Sequence, residues 1–294
     1  MLRKDKVCIM QKTLYIIVIG GSMHRNGQIK VGVYVDVSNI AQNGGYGMQY
    51  DVLREFACRN NGIAIRLNAY VAYDEEMAKN NYDYKVKSAN FHSVLRDFGY
   101  KVIVKTVRWF TDEQGNRYGK SNADLDMAVD ALMQSERLEY VLIVSGDGDF
   151  VQVVRALQNK GCRVEVLAFN NVAHELKTEA DVYTSGYIVP NLTPIELHDK
   201  TNGKKIVRGV CYSFNHEKGY GFMRFMKDMS GGLWITDSRK RESPYGTAFV
   251  HNTQFPESVD IKHLPNRDMM FEFELREVEG KGLQAEQVKL LEYK

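Results

Sequence analysis

Four aspartates in the first part of the chain occupy positions from which a parallel sheet would bring them together. Asp36 closes one apolar stretch of strand type, and Asp147 and Asp149 follow another within the run Ser-Gly-Asp-Gly-Asp-Phe. Asp124 lies near the start of a helical pattern. Because the ligand crevice of an open parallel sheet lies outside the carboxyl ends of its strands, we expect these carboxylates to meet at one edge.

Carboxylates that meet in this way repel one another unless a cation joins them. Several oxygen ligands together suit Mg²⁺ or Mn²⁺, and a divalent cation held by carboxylates is typical of enzymes that cut phosphodiesters. The simpler interpretation of a single aspartate ahead of a helix is an N-terminal cap, and Asp149 could be one. Four acids at three points of one sheet edge favour a metal site and indicate a candidate nuclease.

The residues around these acids alternate between strand and helix patterns. We predict strands at 31–36, 63–73, 101–107, 140–144, 163–169 and 182–188. We predict helices at 48–60, 84–98, 122–133, 150–158 and 172–178, with a loop at 39–47 and a turn at 112–116. Alternation of this kind implies an α/β fold, in which helices cover both faces of a parallel sheet.

The pattern changes after residue 190. A linker containing Pro194 is predicted at 191–205, and no strong helical pattern follows it. Five strand candidates occur instead, at 206–214, 221–225, 247–251, 269–275 and 283–291. Five short strands suit a small all-β barrel of the OB type. We therefore divide the chain into an α/β domain, a linker and a barrel domain, at 30–190, 191–205 and 206–294.

Charge and cysteine content narrow the function classes. The net charge is +2, with −4 over residues 30–202 and +2 over 203–294. The acidic first part fits a carboxylate site that needs a cation, whereas the second part is not basic enough to bind nucleic acid by charge alone, so aromatic stacking must contribute. The four cysteines are isolated, which argues against a disulfide framework or a zinc site and predicts a cytoplasmic protein. No apolar run reaches the roughly 18 residues of a membrane span, so we expect no membrane partner.

The first 22 residues leave two interpretations open. Lysines precede a short apolar run, which superficially resembles a signal peptide, but no small-residue cleavage site follows. Alternatively, the native chain starts at Met23, because Gly20-Gly21-Ser22 can be encoded by a purine-rich ribosome-binding sequence.

Three motifs of the α/β part resemble a known family. They are V-Y-V-D-V-S-N-I at 33–40, K-S-N-A-D-L-D-M-A-V-D at 120–130 and S-G-D-G-D-F at 145–150. In this order they resemble the NYN or LabA-like branch of the PIN-domain superfamily, over roughly residues 31–190. The chain departs from the pattern after Lys120, where many members have a glycine next to the lysine.

The resemblance implies a PIN-like fold and a metal-dependent ribonuclease that uses Mg²⁺ or Mn²⁺. It carries over the metal ligands Asp36, Asp124, Asp147 and Asp149. It also implies that Asn39 and Ser145 orient ligands or phosphate. We further consider Lys120 a candidate phosphate contact, against the alternative of a solvated surface lysine.

The barrel part resembles a cold-shock domain over roughly residues 206–292. The resemblance rests on G-V-C-Y-S-F-N-H-E-K-G-Y-G-F at 209–222 and F-V-H at 249–251. It implies an outer face on which single-stranded bases stack, formed by Phe214, Tyr220, Phe222, Phe249 and His251, with Lys218 near phosphate. The alternative is that some of these rings fill the core. Ser213 stands where the family usually has tryptophan, and the insertion at 227–245, which contains Trp234, is a candidate replacement.

These observations predict a cytoplasmic endoribonuclease that cuts single-stranded RNA held by the barrel. The alternatives are a non-catalytic RNA-binding regulator and a DNA nuclease, because cold-shock barrels also accept single-stranded DNA. The sequence does not distinguish RNA from DNA. A homodimer is a further expectation, since PIN-like domains often pair.

Overall fold

The computed structural model describes residues 27–195, 205–229 and 237–291. Residues 1–22, most of the predicted linker, and Trp234 lie outside these ranges. The first range contains the strands β1 Ile29–Asp36, β2 Gly62–Tyr73, β3 Lys101–Thr106, β4 Arg108–Thr111, β5 Arg117–Lys120, β6 Tyr140–Val144, β7 Arg163–Ala168 and β8 Val182–Ser185. Six of them form a sheet of order β3-β2-β1-β6-β7-β8, and all its pairings are parallel. The predicted parallel sheet is confirmed.

Helices cover both faces of this sheet. They are α1 Val37–Gln42, α2 Tyr50–Ala57, α3 Glu75–Asn80, α4 Tyr82–Asp97, α5 Ala123–Gln134, α6 Val151–Asn159 and α7 His174–Glu179. All five residues of β6 are buried, as expected for a parallel strand with helices on both sides. Alternate residues of β6 enter two cores: Leu142 and Val144 face one, and Val141 and Ile143 face the other. No helix in the described ranges is long and apolar enough to span a membrane.

The strand order reverses direction in the middle of the sheet. β1 lies beside β6, with β2 and β3 on one side and β7 and β8 on the other. Val35 of β1 pairs with Val144 of β6, so the two strands end at the same level. Asp36 follows Val35 as the last residue of β1, and Ser145 is the first residue after β6. These two residues therefore lie beside each other. Ligands of open α/β sheets bind at such a reversal, which is the crevice that the sequence predicts.

The five predicted barrel strands are confirmed, each within a few residues. They are β9 Lys205–Asn215, β10 Tyr220–Met226, β11 Tyr245–His251, β12 Asn266–Val278 and β13 Gly282–Leu290. They close in the order β10-β11-β13-β12-β9, and the inside is filled by apolar side chains such as Phe225, Phe271 and Phe273. A closed five-stranded barrel is consistent with an OB-type domain.

The barrel packs directly against the α/β domain. Met226 and Met270 of the barrel belong to the same buried cluster as the helices on one face of the parallel sheet. The guanidinium of Arg208 donates to Thr193 Oγ1 over 2.7 Å and to the Pro194 carbonyl oxygen over 2.8 Å. These contacts join the two domains through apolar burial and through hydrogen bonds on both sides of the linker.

Short elements differ from the sequence predictions. The predicted loop at 39–47 begins within helix α1, because the Asp36 carboxylate accepts the Asn39 backbone N–H over 3.0 Å and caps the helix. Helix α3 was not predicted and is capped in the same way by Asp74. The predicted turn at 112–116 is the tip of an unpredicted hairpin, in which β4 pairs with β5.

A buried ion pair fixes β7 to the segment after α2. The Arg59 guanidinium lies 2.6 Å from the Glu165 carboxylate, and their side chains are 5% and 0% exposed. The hydroxyls of Tyr140 and Thr184 also donate to this carboxylate. Burial, followed by the neighbouring Glu165 charge, raises the pKa of the Tyr140 hydroxyl well above its ordinary value. The carboxylate is therefore held by three donors in a site without water access.

We expect Glu165→Ala to lower the free energy of unfolding by about 3–5 kcal/mol, because it leaves the Arg59 charge buried without its partner. Urea unfolding followed by circular dichroism measures the change. The control replaces both residues at once, as Arg59→Met with Glu165→Leu, and should be less destabilised because no charge stays buried. A Glu165→Ala protein as stable as wild type would contradict the assignment.

Candidate active site and nucleic-acid interface

Asp36 is the most buried of the four predicted acids. It ends β1, has 7% of its surface exposed and caps helix α1. Its pKa is raised, first by burial and then by repulsion from the carboxylates of Asp147 and Asp124. Hydrogen bonds from backbone N–H groups offset part of this effect. The structure thus places Asp147 and Asp124 within electrostatic reach of Asp36, at the point where the strand order reverses. We call Asp36, Asp124 and Asp147 the acidic group.

Asn39 and Ser145 hold the loop that carries Asp147. The Asn39 Oδ1 atom accepts the Gly146 backbone N–H over 2.9 Å, and the fully buried Ser145 hydroxyl accepts the Asp147 backbone N–H over 3.2 Å. The first bond ties the end of β6 to helix α1, and the second lies within the loop itself. Both residues therefore fix the backbone of the acidic loop, which positions its carboxylate relative to Asp36.

Asp149 lies at the rim of the acidic group. Its side chain is exposed, and its backbone N–H donates to Asp147 Oδ1 over 3.0 Å. Asp147 therefore caps the short 3₁₀ turn at Gly148–Phe150, the role that a simpler interpretation gave to Asp149. The carboxylate of Asp149 stays available to solvent, whereas Asp36 faces inward.

The three aspartates of α5 have different environments. Asp124 is partly exposed in the first helical turn, where the positive end of the helix dipole favours a carboxylate. Asp126 pairs with Lys105 over 2.6 Å, and Asp130 accepts the Tyr70 hydroxyl over 2.7 Å. Only Asp124 therefore joins the acidic group. Lys120 is exposed at the end of β5, four residues before it.

The donor set of this acidic group fits a hard divalent cation. No ion pair joins Asp36, Asp124 or Asp147 to a basic side chain in the described ranges. Their negative charge is therefore uncompensated, and one of the three carboxylates is desolvated. Within the same ranges, no three acidic, histidine or cysteine side chains form a ready-made metal cage. Mg²⁺ tolerates this arrangement, because it commonly keeps several waters and binds one or two carboxylates.

Comparison with known proteins agrees with this geometry. The model of the NYN domain matches residues 30–192. The chain belongs to the NYN domain family. Its residues are 32% identical over 96 positions to the low amplitude and bright protein LabA of Synechococcus elongatus, a match that covers 32% of this chain and 52% of LabA. The chain thus spans about half the length of this curated relative.

Two solved structures are similar to part of this chain. One is a protein of unknown function, VPA0982, from Vibrio parahaemolyticus, with 23% identity and a TM-score of 0.45 over 55% of this chain and 96% of that one. The other is a phosphofructokinase-2 variant from Escherichia coli, with 12% identity and a TM-score of 0.29 over 54% of this chain and 56% of that one.

The NYN family belongs to the PIN-like nucleases. Membership of this family, together with the similarity to LabA, supports a nuclease or RNA-related role.

The outer face of the barrel carries a group of aromatic rings. Phe222 of β10 pairs directly with Phe249 of β11, and Tyr220 pairs with His251. Residues opposite each other in an antiparallel pair lie on the same face. The Phe249 ring centroid lies 5.5 Å from that of Tyr220 and 6.1 Å from that of Phe222. Four of the predicted stacking residues therefore form one continuous surface, which we call the barrel platform.

Phe214 does not join the barrel platform. It pairs with Gly221, whose position faces the barrel interior, and its ring packs against the core near Phe255 at 6.2 Å. Ser213, one residue earlier, pairs with Phe222 and is exposed on the platform side. A tryptophan at position 213, where cold-shock domains usually have one, would therefore extend the barrel platform. Lys218 is exposed in the turn before β10.

A cation bound by the acidic group would raise the free energy of unfolding of the protein. We expect Mg²⁺ or Mn²⁺ to stabilise the metal-free protein, by about 2.7 kcal/mol at a free concentration 100-fold above Kd. Asp36→Asn should lose most of this gain, and without metal it should be more stable than wild type because a buried, repelled carboxylate is removed. Thermal unfolding with EDTA or with added cation measures both effects.

The matched control for that measurement is Asp126→Asn, which removes an acid of α5, the helix of Asp124, that already pairs with Lys105. This variant should keep the full stabilisation by the cation. A wild-type unfolding temperature that added cation leaves unchanged would contradict a metal site here.

We expect Ser213→Trp to tighten binding of single-stranded RNA, because the new ring would lie beside Phe222 on the barrel platform. One further stacked base contributes about 1–3 kcal/mol, which corresponds to roughly a 5- to 150-fold lower Kd. Fluorescence anisotropy in EDTA measures the affinity. The control Ser213→Leu adds apolar area without an aromatic ring, and a gain of the same size in this variant would show that stacking is not the cause.

Proposed function

We propose that this protein is a metal-dependent endoribonuclease that hydrolyses single-stranded RNA held by its barrel. The observation that carries this proposal is the convergence of Asp36, Asp124 and Asp147 at the reversal point of the sheet in a member of the NYN family. Asp36 and Asp147 each cap a short helical element through one carboxylate oxygen, but capping does not explain why three carboxylates lie near one another without a basic partner. Their arrangement suits a cation that in turn binds a phosphate.

Asp36, Asp124 and Asp147 would hold Mg²⁺ or Mn²⁺, with Asp149 at the rim beside them. Such a cation, when bound, lowers the pKa of a coordinated water and neutralises charge on the phosphate. The chain supplies the positioning. Asn39 and Ser145 fix the acidic loop through the backbone N–H groups of Gly146 and Asp147, so that its carboxylate keeps its place as the cation binds and leaves.

The barrel would supply affinity for the strand. Stacking on the rings of the barrel platform tolerates any base, because every base has an aromatic face. A strand held by one domain reaches the other at a raised effective concentration. The barrel contacts the NYN domain through Arg208 and through a shared core, so this concentration depends on a fixed geometry.

A second candidate function is a non-catalytic RNA-binding regulator. It is favoured by one observation: the acids in the described ranges do not form a ready-made metal cage. In that case the acidic group would serve a structural cation or none, and the barrel platform would be the working surface.

We expect the protein to cut a circular, labelled single-stranded RNA in the presence of Mn²⁺ or Mg²⁺ and not in EDTA. A circle has no ends, so its linearisation reports internal cleavage. Asp147→Asn should lower the rate about 100-fold or more, because it removes a ligand of the cation that stabilises the transition state. A matched single-stranded DNA circle tests which polymer is preferred.

The control variant for cleavage is Asp126→Asn, which should retain the wild-type rate. No cleavage by wild type, together with tight RNA binding, would overturn the nuclease and favour the regulator. Equal loss of activity in both variants would show that the effect of Asp147→Asn is not specific to the acidic group.

A further inference from the structure

The hairpin of β4 and β5 has two faces of different chemistry. Cross-strand partners in an antiparallel pair share a face. One face carries Trp109 opposite Gly119 and Thr111 opposite Arg117. The other carries Arg108 opposite Lys120 and Phe110 opposite Tyr118. We call this second face, formed by Arg108, Phe110, Tyr118 and Lys120, the cationic-aromatic face.

The first face fixes the hairpin to the NYN domain. The Trp109 indole N–H donates to the Asp74 carboxylate over 3.2 Å, and Arg117 pairs with Glu76. The Arg117 guanidinium also lies 4.7 Å from the centre of the Trp109 ring. An isolated two-stranded hairpin is marginally stable in water, so these contacts hold it in one orientation relative to the domain.

The cationic-aromatic face has no such contacts. Phe110 and Tyr118 are 45% and 51% exposed, and their rings stack on each other with centroids 5.8 Å apart. Within the described ranges, neither Arg108 nor Lys120 forms an ion pair or a side-chain hydrogen bond. A pair of large rings beside a pair of cations without ion-pair partners is thus displayed on a hairpin that the opposite face keeps in place.

This face lies close to the acidic group. The hairpin follows the carboxyl end of β3, at the sheet edge where Asp36 lies. Its last residue, Lys120, precedes Asp124 by four residues, a separation of at most about 14 Å along an extended chain. A nucleic-acid strand whose phosphate reaches the acids therefore passes near the hairpin.

We propose that the cationic-aromatic face binds single-stranded RNA next to the acidic group. Bases stack on Phe110 and Tyr118, and the phosphates contact Arg108 and Lys120. Charge complementarity favours this occupant, since an aromatic surface beside two cations suits a polyanion with flat bases. A second copy of the chain fits poorly, because a two-fold interface places a patch against itself and would oppose like charges. The inference rests on RNA as the substrate of the proposed function.

The test measures the Kd of a fluorescent single-stranded RNA by anisotropy, with the full chain in EDTA so that nothing is cut. Phe222→Ala is included in every protein to lower binding by the barrel platform. In this background, Phe110→Ala with Tyr118→Ala should weaken binding about tenfold or more. Arg108→Ala should reduce the slope of log K against log salt by about 0.7, the value for one phosphate contact on a single strand.

Two controls separate stacking from other effects. Met133→Ala truncates another exposed apolar residue, at the far end of α5, and should leave the Kd unchanged. Phe110→Leu with Tyr118→Leu keeps apolar area but removes both rings, and should weaken binding as the alanine pair does. Circular dichroism verifies that each variant is folded.

A Kd in the folded alanine pair equal to that of the Phe222→Ala protein would overturn the proposal, and so would the same result in the leucine pair. A dimer by light scattering that the alanine pair converts to a monomer, with RNA affinity unchanged, would assign the face to self-association instead. Because the measurement excludes metal, it is independent of cleavage. If the alanine pair binds RNA more weakly but the wild-type protein never cuts RNA, the proposed nuclease function would be contradicted and the RNA-binding role of the hairpin would be supported.

Discussion

The meeting of two strand ends at the centre of the sheet is the constraint on which the rest of this molecule depends. β1 and β6 are neighbours and end at the same level. The carboxylate of Asp36 at the end of β1 and that of Asp147 in the loop after β6 are therefore placed near each other. Burial of Asp36 adds a desolvation cost that hydrogen bonds from the backbone N–H groups of Asn39 and Ser38 only partly offset. The stable apolar strands beneath them allow the fold to tolerate that local cost.

Much of this arrangement could be predicted from the sequence, and the reasons are physical. Buried parallel strands have apolar runs that stand out, and glycine and aspartate after such runs indicate a crevice. The hairpin of β4 and β5 was missed, because its strands are four residues long and exposed, so burial leaves no pattern in them. Arg-Trp-Phe-Thr and Arg-Tyr-Gly-Lys on either side of a turn were the available signal.

The site residues show the same limit. The grouping of Asp36, Asp124 and Asp147 follows from topology, whereas the exposed position of Asp149 depends on one hydrogen bond within a turn. The inward direction of Phe214 depends on strand register, and a shift of one residue exchanges the two faces of a strand. That register is set by the pairing of β9 with β10, which the motif alone does not specify.

The contact between the two domains bears on how such proteins can diversify. Met226 and Met270 complete a core that belongs to the NYN domain. Arg208 of the barrel donates hydrogen bonds to Thr193 and Pro194, which directly follow that domain in the chain. A barrel whose side chains form part of the core of the neighbouring domain cannot be exchanged for another barrel without changing that core. Grafting a different barrel onto this NYN domain would require the recipient surface to be redesigned, and the two halves should change together over evolutionary time.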